Sequence, residues 1–230
     1  MLTARGMQTL VFDLDGTLVD SAPDIAAALN AVLAEFDRKV PLDEVKRMVG
    51  GGLRNLFHKA SAYTGLDLPS PEAEAAFARF QARYAAEPAP RTTVRDWIAE
   101  VLAERHEAGA RIAVCSNKDE ELVVAILDAL GLWRQVHGVA GLKAGGRRKP
   151  DAEPVLRAIS AAGGDIAGTV VIGDSGADVG AARSAAVPVI LVTGGYGDRD
   201  VRGLDADRIA TNAAELRQAI AELSGGHALT

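Results

Sequence analysis

The stretch that decides the fold is LVFDLDGTLVDS, residues 10–21, in which an apolar run ends in two acids. The run Leu10–Phe12 is typical of a buried strand, because it is short, apolar and bounded by turn residues. Asp13 and Asp15 follow it one residue apart, and Gly16 comes next. Ligands bind beyond the carboxyl ends of strands in open α/β sheets, and adjacent carboxylates repel each other unless a cation relieves them. The stretch therefore predicts a cation site at a strand end.

The bulk composition limits the classes of protein to consider. The 230 residues are 48% hydrophobic and 24% charged, which is ordinary for a globular protein, and the net charge of −6 gives no basis for non-specific nucleic-acid binding. A single cysteine, Cys115, excludes an intramolecular disulfide. No run approaches the ~20 apolar residues that span a bilayer, and the first residues lack the apolar region of a signal peptide. We expect a cytoplasmic protein without membrane partners.

Two kinds of pattern follow the first strand. Apolar residues recur at helical spacing as far as Pro88, without a strand of comparable quality. Helices then alternate with strands predicted at Arg111–Cys115, Gln135–Ala140, Thr169–Gly173 and Pro188–Val192. Such alternation predicts an α/β fold with a parallel sheet.

The distance between the first two predicted strands indicates an insertion. A βαβ crossover needs about a dozen residues including its helix, whereas these strands lie about 100 residues apart. We therefore predict a helical cap subdomain over residues 21–88, inserted into an α/β core made of residues 1–20 and 89–230. A helical module beside a strand-end site is well placed to act as a lid.

Three further places carry polar residues that suit the first acid pair. Ser116 and Asn117 follow the second strand, Asp174 and Asp178 follow the strand at Thr169–Gly173, and Lys149 precedes a helix. Each alone has an ordinary explanation as a helix cap, a helix start or a solvated lysine. Together, acids suited to Mg²⁺ and donors suited to phosphate oxygens predict metal-assisted phosphoryl chemistry.

With these motifs, nearly the whole chain resembles the haloacid dehalogenase superfamily. The motif DxDGT stands at residues 13–17, the strand-end Ser at Ser116, the Lys at Lys149 within KPDAEP, and GDxxxD at residues 173–178. The resemblance implies a Rossmann-like core with an inserted helical cap.

The resemblance also implies a role for each acid. Asp13 would attack phosphorus and form an aspartyl-phosphate. Asp15 would protonate the leaving alcohol and then deprotonate the attacking water, and this second acid favours phosphoryl transfer over metal-independent dehalogenation. Mg²⁺ would be held by Asp13, the Asp15 backbone carbonyl and Asp174, with Asp178 in support.

The remaining motif residues would hold the phosphoryl group. Ser116, Asn117 and Lys149 would bind it and stabilise its charge, with Lys149 also part of the catalytic set. Gly16 would lie against the same group.

Within the superfamily the chain is most similar to phosphoglycolate phosphatases. This likeness rests on VGGGLRNL (residues 49–56), KPDAEP, GDSGADV and GGYG (residues 194–197). It implies a small phosphorylated metabolite as the partner, most simply 2-phosphoglycolate, with Gly51 in a turn that faces the substrate. Arg54 is a candidate for binding the substrate carboxylate, since guanidinium binds carboxylate bidentately; a surface position is the alternative.

Some questions stay open at this point. The chain has residues 91–93, Arg-Thr-Thr, where relatives carry Pro-Gly, and Asp119 where they carry proline. Sugar phosphates, N-acetylmuramate phosphate and pyrophosphate are alternative substrates, and a β-phosphoglucomutase-like mutase is an alternative activity. The sequence defines neither the direction of Tyr196 nor the oligomeric state.

Overall fold

The computed structural model describes residues 8–196 and 201–224, so Gly197 of the GGYG segment lies outside the described residues. In chain order these residues form β1 (Thr9–Phe12), β2 (Val19–Asp20), α1 (Ala22–Leu33), α2 (Leu42–Met48), α3 (Leu53–Thr64), α4 (Ser70–Ala86), β3 (Thr93–Val94), α5 (Asp96–Glu107), β4 (Arg111–Asp119), α6 (Glu120–Ala129), β5 (Gly138–Leu142), α7 (Glu153–Ala161), β6 (Thr169–Gly173), α8 (Gly176–Ser184), β7 (Val189–Val192), β8 (Arg208–Ala210) and α9 (Ala213–Ser224).

A six-stranded parallel sheet forms the centre of the molecule, in the order β5-β4-β1-β6-β7-β8. The α/β class predicted from the sequence is confirmed. The inner strand β1 pairs with β4 and β6 in the same register, so that Phe12 lies opposite both Val114 and Ile172. The carboxyl ends of three strands therefore meet at one edge, beside the acids that follow β1.

Burial on both faces explains why the first strand is a continuous apolar run. Leu10 and Phe12 belong to the core on one face of the sheet, and Val11 belongs to the core on the other. All three are fully buried. Each contributes about 1.5–3 kcal/mol from removing its side chain from water.

The largest differences between the structure and the predicted strands of the sheet lie at β4, β5 and β8. β4 continues to Asp119 through a register shift after Cys115, and β5 covers Gly138–Leu142 rather than Gln135–Ala140. The edge strand β8 was not predicted, because three residues with an exposed first side chain carry no recognisable apolar run.

Two short strands join the sheet to a run of four helices. β2 and β3 pair antiparallel, with Val19 opposite Val94, so the chain leaves and returns through one narrow ribbon. Between them lie α1–α4, residues 22–86, which we call the cap segment. Its helices enclose an aromatic cluster in which Phe57, Phe77 and Phe80 have ring centroids 5.8–6.4 Å apart. Two-residue strands are too short for sequence periodicity to reveal, and both were missed.

Within residues 8–196 and 201–224, no helix has the length and apolarity needed to cross a membrane.

Candidate active site

Three carboxylates meet at the carboxyl edge of the sheet. Asp13 follows β1, and its backbone N–H donates to the carbonyl of Ile172 on β6 at 2.8 Å. Asp174 follows β6, and Asp178 lies in the first turn of α8. Carboxylate oxygens of the three acids lie within 4.8 Å of one another. In-register parallel strands thus bring together acids from distant parts of the chain.

Lys149 lies inside this acid cluster. Its Nζ is 2.7 Å from Asp13 Oδ1 and 2.6 Å from Asp178 Oδ1, and it donates to the carbonyl of Cys115 at 2.9 Å. A lysine ammonium has three N–H donors, so these three acceptors use all of them. The side chain is therefore fixed, with its charge between two acids.

The electrostatics of the cluster favour a further cation. Burial raises the pKa of Asp13 well above its ordinary value; Lys149 opposes this, and the charges of Asp178 and Asp174 add to it. Burial alone would lower the pKa of Lys149, but the two acids beside it raise that pKa well above its ordinary value. Lys149 thus lies between two of the three buried acids, Asp13 and Asp178. Closely spaced carboxylate oxygens are the donor set that Mg²⁺ prefers, so the residues fit the predicted metal.

Glycines allow the backbone to close tightly around Asp174. Gly16 has φ +88°, and a Cβ on either Gly16 or Gly195 would overlap the Asp174 carboxylate. The next N–H, that of Tyr196, donates to Asp174 Oδ2 at 2.6 Å. Gly16 therefore contributes here by making room for Asp174.

Asp178 is held by the helix that carries it. Its Oδ2 accepts from the Asp174 N–H at 3.2 Å, the Ser175 N–H at 3.1 Å and the Ser175 hydroxyl at 2.6 Å. Ser175 and Asp178 form a reciprocal capping box at the start of α8. The second carboxylate oxygen is thereby left for Lys149.

A second acid–lysine pair lies next to the first. Lys118 Nζ is 2.6 Å from Asp15 Oδ1 and 2.6 Å from the Tyr84 hydroxyl, and the lysine is almost completely buried. The Ser21 hydroxyl also donates to Asp15 Oδ1. Asp15 is therefore held by Lys118 of β4, by Ser21 just before the cap segment and, through Lys118, by Tyr84 of α4.

Asn117, on β4, connects this strand to two loops. Its Oδ1 accepts from the Lys149 N–H at 2.8 Å, and its Nδ2 donates to the carbonyls of Gly50 at 2.9 Å and Lys149 at 3.1 Å. Ser116 is buried beside it, and its hydroxyl accepts from the Lys118 N–H at 3.2 Å. The Asn117 amide thus positions the Lys149 loop against the cap segment, and its predicted contact with a phosphoryl group stays a prediction.

A cavity separates this polar edge from the cap segment. The core side presents charged and polar groups, whereas the cap side presents apolar side chains and glycine backbone. The core side includes Asp13, Asp15, Ser116, Asn117, Lys118, Lys149 and Asp174; the cap side includes Ile25, Val49, Gly50, Gly52, Leu53 and Leu56.

Arg54 lies outside this cavity lining. Its guanidinium forms an ion pair with Glu74 at 2.6 Å and lies over the Phe77 ring, 4.2 Å from the centroid, and its side chain is 53% exposed. The structure thus places Arg54 on the surface of the cap segment, the alternative that the sequence left open. Gly51 adjoins the cavity, but its carbonyl accepts from Arg148 at 3.2 Å.

The direction of Tyr196, open from the sequence, is resolved. Its ring borders the cavity, and its hydroxyl accepts from the Ala22 N–H at 2.8 Å and donates to Asp20. Burial raises the pKa of this hydroxyl, with the hydrogen bond to Asp20 adding to the effect, so the phenol stays neutral. Tyr196 thereby links the Asp174 loop to the start of α1.

Two residues of the site were not identified from the sequence. Lys118 directly follows Ser116 and Asn117. Its place as the third polar residue in this run could have marked it as a site residue. Tyr84 lies on a cap helix with mostly apolar neighbours and gave no signal of its own.

Comparison with known proteins agrees with this arrangement. Residues 10–192 match the haloacid dehalogenase-like hydrolase family. A phosphoglycolate phosphatase of Caulobacter vibrioides is 41% identical over 202 residues, covering 87% of this chain and 85% of that protein. A phosphoglycolate phosphatase of Agrobacterium fabrum is 38% identical over 223 residues, 96% of each chain.

Solved structures share the fold. A predicted phosphoglycolate phosphatase from Haemophilus somnus superimposes with a TM-score of 0.83 at 24% identity, covering 93% of this chain and 97% of that one. A second structure, from Lactobacillus delbrueckii subsp. bulgaricus, gives a TM-score of 0.84 at 24% identity over 94% of this chain and 98% of that one.

Proposed function

The chain belongs to the haloacid dehalogenase-like hydrolases and is a phosphoric monoester hydrolase, and from this premise we propose that it is a Mg²⁺-dependent phosphatase of 2-phosphoglycolate that works through an aspartyl-phosphate. The observation that carries the proposal is the pair of acids after β1, each paired with its own buried lysine. Asp13 pairs with Lys149 and Asp15 with Lys118, at 2.7 Å and 2.6 Å.

In the first step, an Asp13 carboxylate oxygen attacks phosphorus, and the bond from phosphorus to the substrate's ester oxygen breaks. The leaving alkoxide takes a proton from Asp15, whose carboxylate borders the same cavity. Lys149 neutralises charge that develops on the phosphoryl oxygens.

In the second step, water attacks the phosphorus of the aspartyl-phosphate while Asp15 takes its proton. The bond from phosphorus to the Asp13 oxygen breaks, and inorganic phosphate leaves. Asp15 returns to its protonated form, ready for the next substrate.

Mg²⁺, when bound, supplies positive charge that offsets the buried acids and the phosphoryl oxygens. Asp13, the Asp15 backbone carbonyl and Asp174 would hold it. Asp178 would support them, since its carboxylate lies within the same 4.8 Å cluster.

Both sides of the cavity contribute to the choice of substrate. We assign the reaction to a core of residues 1–20 and 89–230, and closure over the substrate to a cap of residues 21–88. The relatives that are named phosphoglycolate phosphatases at 34–41% identity support 2-phosphoglycolate as the substrate.

Phosphate release from a panel of substrates tests the proposal. The panel contains 2-phosphoglycolate, a sugar phosphate, N-acetylmuramate 6-phosphate and pyrophosphate, each with Mg²⁺ and with EDTA. We expect the highest kcat/KM for 2-phosphoglycolate and loss of turnover in EDTA. A higher kcat/KM for another compound would identify that compound as the substrate instead. Isomerisation of β-glucose 1-phosphate with little phosphate release would identify the protein as a mutase.

A further inference from the structure

The position of Arg54 leaves the substrate's second charge without its predicted partner. Its guanidinium pairs with Glu74 outside the cavity lining. Among the described residues that line the cavity, the cationic side chains are Lys118 and Lys149. Among these lining residues, a second anionic group of the substrate can therefore meet a positive side chain only at one of these two lysines, beside neutral donors such as Ser116.

The two lysines differ in their free hydrogen-bonding capacity. Lys149 has acceptors for all three N–H groups, from Asp13, Asp178 and the Cys115 carbonyl. Lys118 has two acceptors among the described residues, Asp15 Oδ1 and the Tyr84 hydroxyl. Because an ammonium has three donors, one N–H of Lys118 remains for the cavity that this residue lines.

The charge of Lys118 is retained although the residue is buried. Its Nζ lies 2.6 Å from both Asp15 Oδ1 and the Tyr84 hydroxyl, and the carboxylate balances its positive charge. Tyr84 is held neutral, since burial raises the pKa of its hydroxyl. The ammonium lies at a cavity whose cap side is apolar, and charge-assisted contacts are stronger beside apolar surfaces than in bulk water.

The location of Lys118 fits a short acid. In the proposed reaction Asp15 protonates the ester oxygen that leaves, and Lys118 Nζ lies 2.6 Å from the same carboxylate. In 2-phosphoglycolate the carboxylate is one carbon from that ester oxygen. We propose that Lys118 binds the substrate carboxylate and selects a short phosphorylated acid; this inference rests on the proposed function.

Tyr84 ties this selection to the cap segment. Its hydroxyl lies on α4 and takes one donor of Lys118 from the cap side, while Asp15 takes another from the core side. These two contacts fix the position of the ammonium at the cavity. An open cap segment would remove the Tyr84 contact and with it this alignment.

A matched pair of substrates isolates the carboxylate. Ethyl phosphate has the same ester chain as 2-phosphoglycolate with a methyl group in place of the carboxylate. The measurement is the ratio of kcat/KM for the two substrates in the wild-type protein, Lys118→Met and Arg54→Ala. Lys118 also holds Asp15, so Lys118→Met should lower kcat/KM for both substrates. A loss that arises only from the displacement of Asp15 lowers both values equally and leaves their ratio unchanged.

We expect the ratio to fall about 10- to 100-fold in Lys118→Met, the loss of one charge-assisted contact, and to stay within about twofold in Arg54→Ala. Equal losses on both substrates would reduce Lys118 to a positioning residue for Asp15. A fall of the ratio in Arg54→Ala alone would mean that Arg54, and not Lys118, binds the substrate carboxylate. Either result overturns the inference.

A second measurement has one arm in the wild-type protein alone, which does not depend on the folding of a variant. 3-Phosphonopropionate and propylphosphonate are non-hydrolysable counterparts of the two substrates, and their inhibition constants are compared in the wild-type protein and in Lys118→Gln. We expect the carboxylate to tighten inhibition about tenfold or more in the wild type and to lose this gain in Lys118→Gln. No gain in the wild type overturns the inference. Failure of the wild type to hydrolyse either ester would instead reject the proposed function.

Discussion

The two walls of the cavity are built in opposite ways. On the core wall, Asp13, Asp15, Lys118 and Lys149 are buried charges whose partners lie within 2.6–2.9 Å. On the cap wall, the same cavity meets apolar side chains and glycine backbone. A buried charge needs a specific partner, whereas an apolar surface tolerates replacements of similar volume. We therefore propose that the core wall determines the reaction and that the cap wall contributes the shape of the cavity.

The largest expected effect comes from the core wall, at Asp13. Asp13→Asn should lower kcat by about four orders of magnitude or more, because the amide keeps the shape but cannot attack phosphorus. Phosphate release from p-nitrophenyl phosphate, together with a thermal melt, checks this. Asp128→Asn, on the exposed face of α6, is the matched control and should turn over normally. Substantial activity in Asp13→Asn would assign the attack to another group.

The second effect concerns the metal. Asp174→Asn should raise the Mg²⁺ concentration for half-maximal activity at least about tenfold, because an amide oxygen is a weaker ligand than a carboxylate. The Tyr196 N–H still finds an acceptor in the asparagine, so the loop is expected to persist. Activity is measured against Mg²⁺ concentration after treatment with EDTA. An unchanged Mg²⁺ dependence would exclude Asp174 as a ligand.

A smaller effect is expected where the cap wall meets the core. Gly52 has φ +82°, and a Cβ there would lie 3.1 Å from the Asn117 carbonyl. Gly52→Ala should therefore hinder the approach of the cap segment and raise KM several-fold. Gly65→Ala is the control, because Gly65 ends the same helix at φ +66° with nothing within 4 Å of its Cβ position.

Both substitutions place alanine at positive φ. At Gly65, with ψ +24°, the left-handed helical backbone costs alanine about 1–2 kcal/mol. At Gly52, with ψ +163°, the backbone lies in a region nearly reserved for glycine, so Gly52→Ala should lower the melting temperature more than Gly65→Ala. A change in KM that occurs only in Gly52→Ala would show that the effect comes from closure of the cap segment and not from reduced stability. An equal change in KM for both variants would contradict a specific contact between the cap wall and the core wall.

The smallest expected effect is that of Cys115, which is buried below the core wall. It changes the free energy of unfolding at alkaline pH and leaves it unchanged at neutral pH. Burial raises the pKa of Cys115 to about 12. An unfolded thiol ionises near its ordinary pKa of about 8.5, so between about pH 9 and 12 the unfolded state binds fewer protons than the folded state. The free energy of unfolding should fall with rising pH in that window, by up to about 1.4 kcal/mol per pH unit from this thiol. Cys115→Ala should show a shallower fall, and parallel curves would contradict the shift.

Much of the core wall could be predicted from the sequence, because buried charges constrain one another. Asp13, Lys149, Asp174 and Asp178 stand in spaced motifs after recognisable strands, and the structure brings all four together. The parallel register of β1 with its neighbours turns those motifs into one site.

The contacts between the cap segment and the core could not be predicted in this way. Tyr84 reaches Lys118 through tertiary packing, and Arg54 turns to Glu74, a residue of another helix. Neither contact leaves a spacing pattern in the sequence. Side chains of this kind are placed by the packing of whole helices, which local patterns do not specify.

One departure from the family pattern gains an explanation. The buried carboxylate of Asp24 accepts from the Arg91 N–H at 2.9 Å and from the Thr92 hydroxyl at 2.7 Å. A proline at position 91 would lack that N–H. Arg91 and Thr92 therefore bind the segment just before β3 to α1 through Asp24.

The most direct test of the central claim is the stereochemical course at phosphorus. A substrate phosphorothioate made chiral with oxygen isotopes is hydrolysed by the wild-type protein with Mg²⁺, and the configuration of the released thiophosphate is determined. Attack by Asp13 followed by attack of water makes two in-line displacements, so the account predicts net retention of configuration. Net inversion would mean a single direct attack by water and would contradict Asp13 as the nucleophile.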